Sequence, residues 1–132
     1  GAEYQDNSSG DVKFVRSIAN GQVAKAQYKA YVYDDPNTLF KIQADQAATA
    51  LVAANVGELV QIVASPTGSS ITHKSGLVAD SSTKATTNTF PLQVLGSAET
   101  DLGYTSAGTT MDVLVRINSH QHGNGATGVT GI

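Results

Sequence analysis

The sequence predicts an all-β chain, mainly an antiparallel β-sandwich or small barrel, with at most one short helix and extended termini. Three observations lead there. Apolar and polar residues alternate with period two over several short runs, which is the mark of half-buried strands. Turn-forming Gly, Pro, Asn and Asp recur about every ten residues. Only one stretch has a helix-like composition, so a βαβ architecture would lack its crossovers.

Taken in order, residues 1–10 are polar and close on Ser8-Ser9-Gly10, reading as an extended N-terminal arm. Val12, Phe14 and Ile18 mark a first strand, and Asn20-Gly21 is a strong hairpin-turn signal. Ala26, Tyr28, Ala30 and Val32 alternate with Gln27, Lys29, Tyr31 and Tyr33, predicting a strand with one partly aromatic face. Asp34-Asp35-Pro36-Asn37 ends it, because proline locks φ and lacks a donor while Asp and Asn favour turns. Phe40, Ile42 and Ala44 form the next strand. The alanine-rich stretch from Gln46 to Gly57, with Asp45 available as a cap, predicts the one short helix.

Leu59 to Ala64 reads as a buried strand and Pro66-Thr67-Gly68 as a turn. Ser69–Lys74 and Leu77–Ala79 are weak strands, and Ser81–Asn88 reads as a Ser/Thr-rich loop. Phe90, Leu92 and Val94 alternate in a strand that Pro91 marks as an edge or a bulge site. Met111, Val113, Val115 and Ile117 form the last strand. The organisation expected is an arm over 1–10, a single β-rich domain over 11–121 and a glycine-rich tail over 122–132. Neither end carries apolar periodicity, so both are expected to be mobile in the free protein.

Composition narrows the function. The 132 residues contain no cysteine, which removes disulfides, thiolate metal sites and thiol catalysis. The net charge is −3, and Lys and Arg are scattered, so a basic nucleic-acid face is not expected. Charged residues make up 14% of the chain against about 25% in an ordinary domain. Such a neutral polar surface is cheap to desolvate, which suits burial in a protein assembly; an unusually neutral soluble domain is the plainer alternative. No apolar run reaches the roughly 18 residues of a membrane span, and the first residues lack the profile of a secretory leader.

Candidate chemistry is sparse. His120 and His122 can face one way on an extended chain, but a metal site would need His73 as a third ligand, and a solvated strand exit explains the pair more simply. Asp34, Asp35 and Asn37, with Asp45 nearby, lack the glycine and distal glutamate of a calcium loop and read as a turn. No Gly-x-Ser-x-Gly elbow and no phosphate loop are present. Tyr28, Tyr31 and Tyr33 lack the basic neighbours of a base-stacking platform. They suit a surface where a ring is buried and its hydroxyl stays wet. No catalytic, cofactor-binding or metal-binding residue is therefore assigned.

The segment Tyr31-Val-Tyr-Asp-Asp-Pro-Asn-Thr-Leu-Phe-Lys-Ile-Gln-Ala-Asp45 resembles a recurring block in small virion proteins of tailed bacteriophages. The likeness continues through the Ala-rich stretch and Val56–Val63, then Ser75, Gly76 and Asp80, then Pro91–Gly96. It closes on Val113–Gln121, covering roughly residues 25–121. The family is that of capsid decoration, or cement, proteins. The resemblance implies a non-enzymatic structural protein on the outer surface of the virion's capsid. It implies bridging of neighbouring major capsid proteins and self-association with a trimer favoured; the scattered charge and short apolar runs lead us to expect no nucleic-acid or membrane partner, and no cofactor is expected. Expected contact residues are Tyr4 in the arm, Tyr31 and Tyr33, His120 and His122 at the exit from the last strand, and Val129 and Ile132 in the tail. The alternative is a virion surface module for carbohydrate or receptor binding, against which stand the absence of Trp and an aromatic fraction of 6%. A small hydrolase, with a pocket at His73 or His120, is the remaining alternative.

Overall fold

The computed structural model describes residues 1–6, 9–16, 28–46, 49–64, 71, 75–98, 109–120, 128 and 130–132. The chain is nearly all β and divides into two compact units, Gly1–Tyr33 with Ser70–His73, and Asp34–Ser69 with Lys74–Ile132. The division differs from the single domain over 11–121 expected from the sequence. It falls at the Asp34-Asp35-Pro36-Asn37 turn, and the strands on either side pair only within their own unit.

The first unit holds a three-stranded antiparallel sheet in the order β2-β1-β3, with β1 Ala2–Gln5, β2 Val12–Val15 and β3 Tyr28–Ala30. The arm expected over residues 1–10 is thus the central strand and the turn after it. Its backbone groups are taken up on both sides, by Val12–Val15 and by Tyr28–Ala30. Ladder bonds of this kind need no apolar periodicity, which is why the polar sequence hid the strand. Ser9 and Gly10 lie in the β1–β2 connection, closed by Gly10 N–H to Asp6 O (2.9 Å) and Asp6 N–H to Asp11 O (2.8 Å). The Asn20-Gly21 hairpin signal lies outside the described residues.

The second unit is a closed five-stranded barrel in the order β4-β6-β5-β7-β8, from β4 Phe40–Ala44, β5 Leu59–Ala64, β6 Leu77–Ala85, β7 Leu92–Ser97 and β8 Met111–Ile117. Alternate residues point inward, as closure of a small barrel requires. Ala44, Leu51, Val60, Ala79, Leu92, Val94, Met111, Val113 and Val115 make the core, with Phe40, Ile42 and Ile117 packed against it. Each fully buried Leu or Val there contributes roughly 1.5–3 kcal/mol.

Two local readings change, and of the two offered for the strand after Pro91 the bulge is the one found. The Gln46–Gly57 stretch forms only a 3-10 turn over Ala53–Asn55 among its described residues. Alanines supply helix propensity but no wide apolar stripe, so packing decides otherwise. Gln46, buried at a positive φ, accepts the Leu51 N–H at 2.6 Å and sends Leu51 into the core. Lys84 reaches in to donate to Ala50 O (2.7 Å), and Asn55 Oδ1 accepts the Val52 N–H (2.9 Å).

The Ser81–Asn88 stretch, read as a loop, continues β6 as far as Ala85. A bulge opposite Leu59 to Gln61 interrupts its ladder, and hydroxyls fill the gap. Thr83 Oγ1 accepts the Gln61 N–H (3.0 Å) and donates to Asp80 O (2.8 Å). Finally, β7 is paired on both sides, with a bulge between Val94 and Gly96. Pro91 stands just outside the strand, its carbonyl accepting the Asn118 N–H at 2.7 Å.

Candidate partner-binding surface

In the first unit, cross-strand register sorts the side chains. Glu3 stands opposite Phe14 and Lys29, and Gln5 opposite Val12. Paired residues share a face, so Glu3, Gln5, Val12, Phe14 and Lys29 lie together. The Tyr31 N–H donates to Gly1 O (2.9 Å), which extends the β3 edge by one residue and brings the Tyr31 ring to the same face. Ala2, Tyr4, Lys13, Val15, Tyr28 and Ala30 occupy the other.

The first of these faces is open and partly aromatic. Phe14 is 73% exposed and Tyr31 54%. Their rings stack with centroids 6.5 Å apart and an interplanar angle of 29°. Tyr31 Oη donates to Glu3 Oε2 at 2.6 Å, and Lys29 Nζ lies 4.0 Å from Glu3 Oε1. The Tyr31 phenol is held above its ordinary value of 10.0, first by this hydrogen bond to Glu3, then by desolvation and the neighbouring negative charge. A stacked pair with one hydroxyl already tied to a carboxylate has less side-chain entropy to lose when covered than two free rings.

The other expected contact residues are placed as follows. Tyr33 is 80% exposed and belongs to the same unit, as does the exposed Val32. Tyr4 is only 7% exposed, so its ring is not open to a partner; a tyrosine in a polar arm gives no sign of which side it faces. In the barrel unit, His120 is mostly buried, with Nε2 3.9 Å from Asp34 Oδ1. His122 and Val129 lie outside the described residues. Ile132 is exposed, yet its N–H faces Gly57 O at 3.4 Å. The structure thus brings Tyr31 and Tyr33 into one unit with Phe14, a residue the sequence marked only as part of a first strand. Only the cross-strand position of Glu3 distinguishes the two faces, and that is a tertiary fact. Among the described residues, no three His, Cys, Asp or Glu side chains are grouped to hold a metal ion.

Comparison with protein-family models, curated proteins and solved structures gives no match to this chain.

Proposed function

We propose that this chain is a structural virion protein that binds the outer surface of an assembled bacteriophage capsid and bridges neighbouring major capsid proteins. The observation that carries the reading is the open Val12–Phe14–Tyr31 face of the first unit. Aromatic rings stripped of water at an interface supply most of its energy, and two half-open rings with a valine offer on the order of 200 Å² of apolar surface. The sequence resemblance supplies the capsid as the partner, and the low charge of the chain suits a contact made by apolar and hydrogen-bonded groups. Binding only the assembled lattice stabilises that lattice by mass action. Repetition across the shell adds avidity where copies associate, a trimer being the favoured form.

The test is co-sedimentation of the purified chain with assembled capsids and with unassembled capsid subunits of its virus. Retention on the shell alone, with stripped particles rupturing at a lower temperature than complete ones, is the expected result. Equal robustness of stripped and complete particles, or binding to a receptor or glycan instead of the shell, overturns the reading.

A further inference from the structure

The outer face of the β5–β7 pair carries a groove that the chain's own last residues fill. Leu59 pairs with Gln93 and Val60 with Leu92. Val60 and Leu92 belong to the core, so Leu59 and Gln93 project to the outside of the barrel. Leu59 is nonetheless fully buried. Gly131 helps to cover it: a Cβ added there would lie 3.1 Å from Leu59 Cδ1 and 3.0 Å from Gly57 O. The Gly131 N–H donates to Thr86 O (3.0 Å), and the Ile132 N–H points to Gly57 O (3.4 Å).

The floor of the groove is held from below. Gln93 Nε2 donates to Gly57 O (3.0 Å), and Arg116 Nε donates to Gln93 Oε1 (2.7 Å). The Gly57 N–H is engaged by Val94 O at 2.8 Å. Gly57 itself has φ +98°, which glycine adopts without strain, and a Cβ there would meet Ile132 Cγ1 at 3.0 Å. At both glycines an added Cβ would stand 3.0 Å from its nearest neighbour, closer than ordinary van der Waals contact.

We propose that this groove is a binding site for an extended peptide led by glycine and followed by an aliphatic residue, with Gly131–Ile132 as its resident ligand. Recognition rests on two carbonyls, of Thr86 and Gly57, whose positions do not depend on the covalent link to the segment. The first position favours glycine, because a Cβ there would lie 3.0 Å from Gly57 O and 3.1 Å from Leu59 Cδ1, closer than ordinary contact, so the neighbours would have to give way. The second is read loosely, since Ile132 is 89% exposed and touches the floor along one edge. Because the resident segment is tethered, its effective concentration is on the order of millimolar, so a free peptide competes poorly until that segment is displaced. The inference is independent of any role at a capsid.

The test uses full-length chain labelled at leucine methyl groups and a synthetic GVTGI peptide, with GVTVI as control. In Gly131→Val the Leu59 methyl signals are expected to move while those of Leu51 and Leu92 stay. GVTGI at millimolar concentration should return the Leu59 signals toward their original positions, and GVTVI should not. No response to GVTGI, or equal response to both peptides, overturns the proposal. Should the variant fail to fold, the unmodified chain still decides: the Gly131 amide should exchange at least about tenfold more slowly than in the free peptide. Exchange at the free-peptide rate overturns the proposal as well.

Discussion

The Tyr31–Glu3 contact has a pH signature. The phenol donates to the carboxylate, so folding favours the protonated ring and raises its pKa above 10.0. A raised folded-state pKa means the contribution to stability is complete below pH 10.0 and is lost as pH climbs through the raised value. Glu3→Gln should bring the Tyr31 titration back toward 10.0, read from the ring-carbon chemical shift or from tyrosinate absorbance. An unchanged titration would show that the carboxylate is not its cause. Gln46 makes a second residue-level prediction. Its amide oxygen satisfies the buried Leu51 N–H, so Gln46→Ala leaves that donor unpaired. The expected loss is about 1–3 kcal/mol in denaturant unfolding. Glutamine in an alanine-rich run looks like a helix surface residue, and only its left-handed backbone and zero exposure reveal its role.

Among the elements, the seam between β4 and β6 is the most thinly held. It is the barrel's parallel junction, with Ala44 opposite Ala79 as its one bridged pair and Asp45 N–H to Ala79 O at 3.1 Å. The Asp45 carboxylate supplements it, with Oδ1 accepting from the Ser81 N–H (3.0 Å) and the Ser81 hydroxyl (2.8 Å). Charge-assisted bonds of this kind are worth roughly 1.5–3 kcal/mol. Asp45→Ala should therefore cost about that much. Amide exchange should also speed up first along β4 and β6, while the β7–β8 pair keeps its protection. Uniform loss of protection across all five strands would mean that the seam has no separate weakness. The sequence reading assigned Asp45 to a helix cap. A carboxylate that closes a barrel and one that caps a helix look alike in one dimension, since both precede a change of chain direction.

For the whole molecule, the prediction concerns the open face and the shell. On the proposed capsid role, Phe14→Ser combined with Tyr31→Ser should weaken retention on the shell by at least about tenfold, or 1.4 kcal/mol. Both rings are more than half exposed, so barrel unfolding should be unchanged. Raising salt to about 0.5 M should release the unmodified protein poorly, because screening acts on charges and not on stacked rings. Retention equal to that of the unmodified chain would place the contact elsewhere on the molecule. Strong release by salt would point to ion pairs such as those Lys29 can offer.

The sequence by itself determined the fold class and most of the barrel. Phe40–Ala44 and Met111–Ile117 were legible because inward residues of a barrel strand must be apolar at every second place, and Leu59–Ala64 because it is an apolar run broken only by Gln61. The alternation around Tyr31 and Tyr33 was not informative, since every residue from Tyr28 to Tyr33 is exposed. Tertiary structure alone decided the rest. Polar Ala2–Gln5 became a central strand because two neighbours take its backbone bonds, and hydrogen bonding to the main chain leaves no trace in side-chain pattern. The Ser/Thr run joined β6 because hydroxyls can stand in for ladder partners at a bulge. Phe14 came to rest outside, beside Tyr31, because alternation says that two faces differ but not which one water keeps.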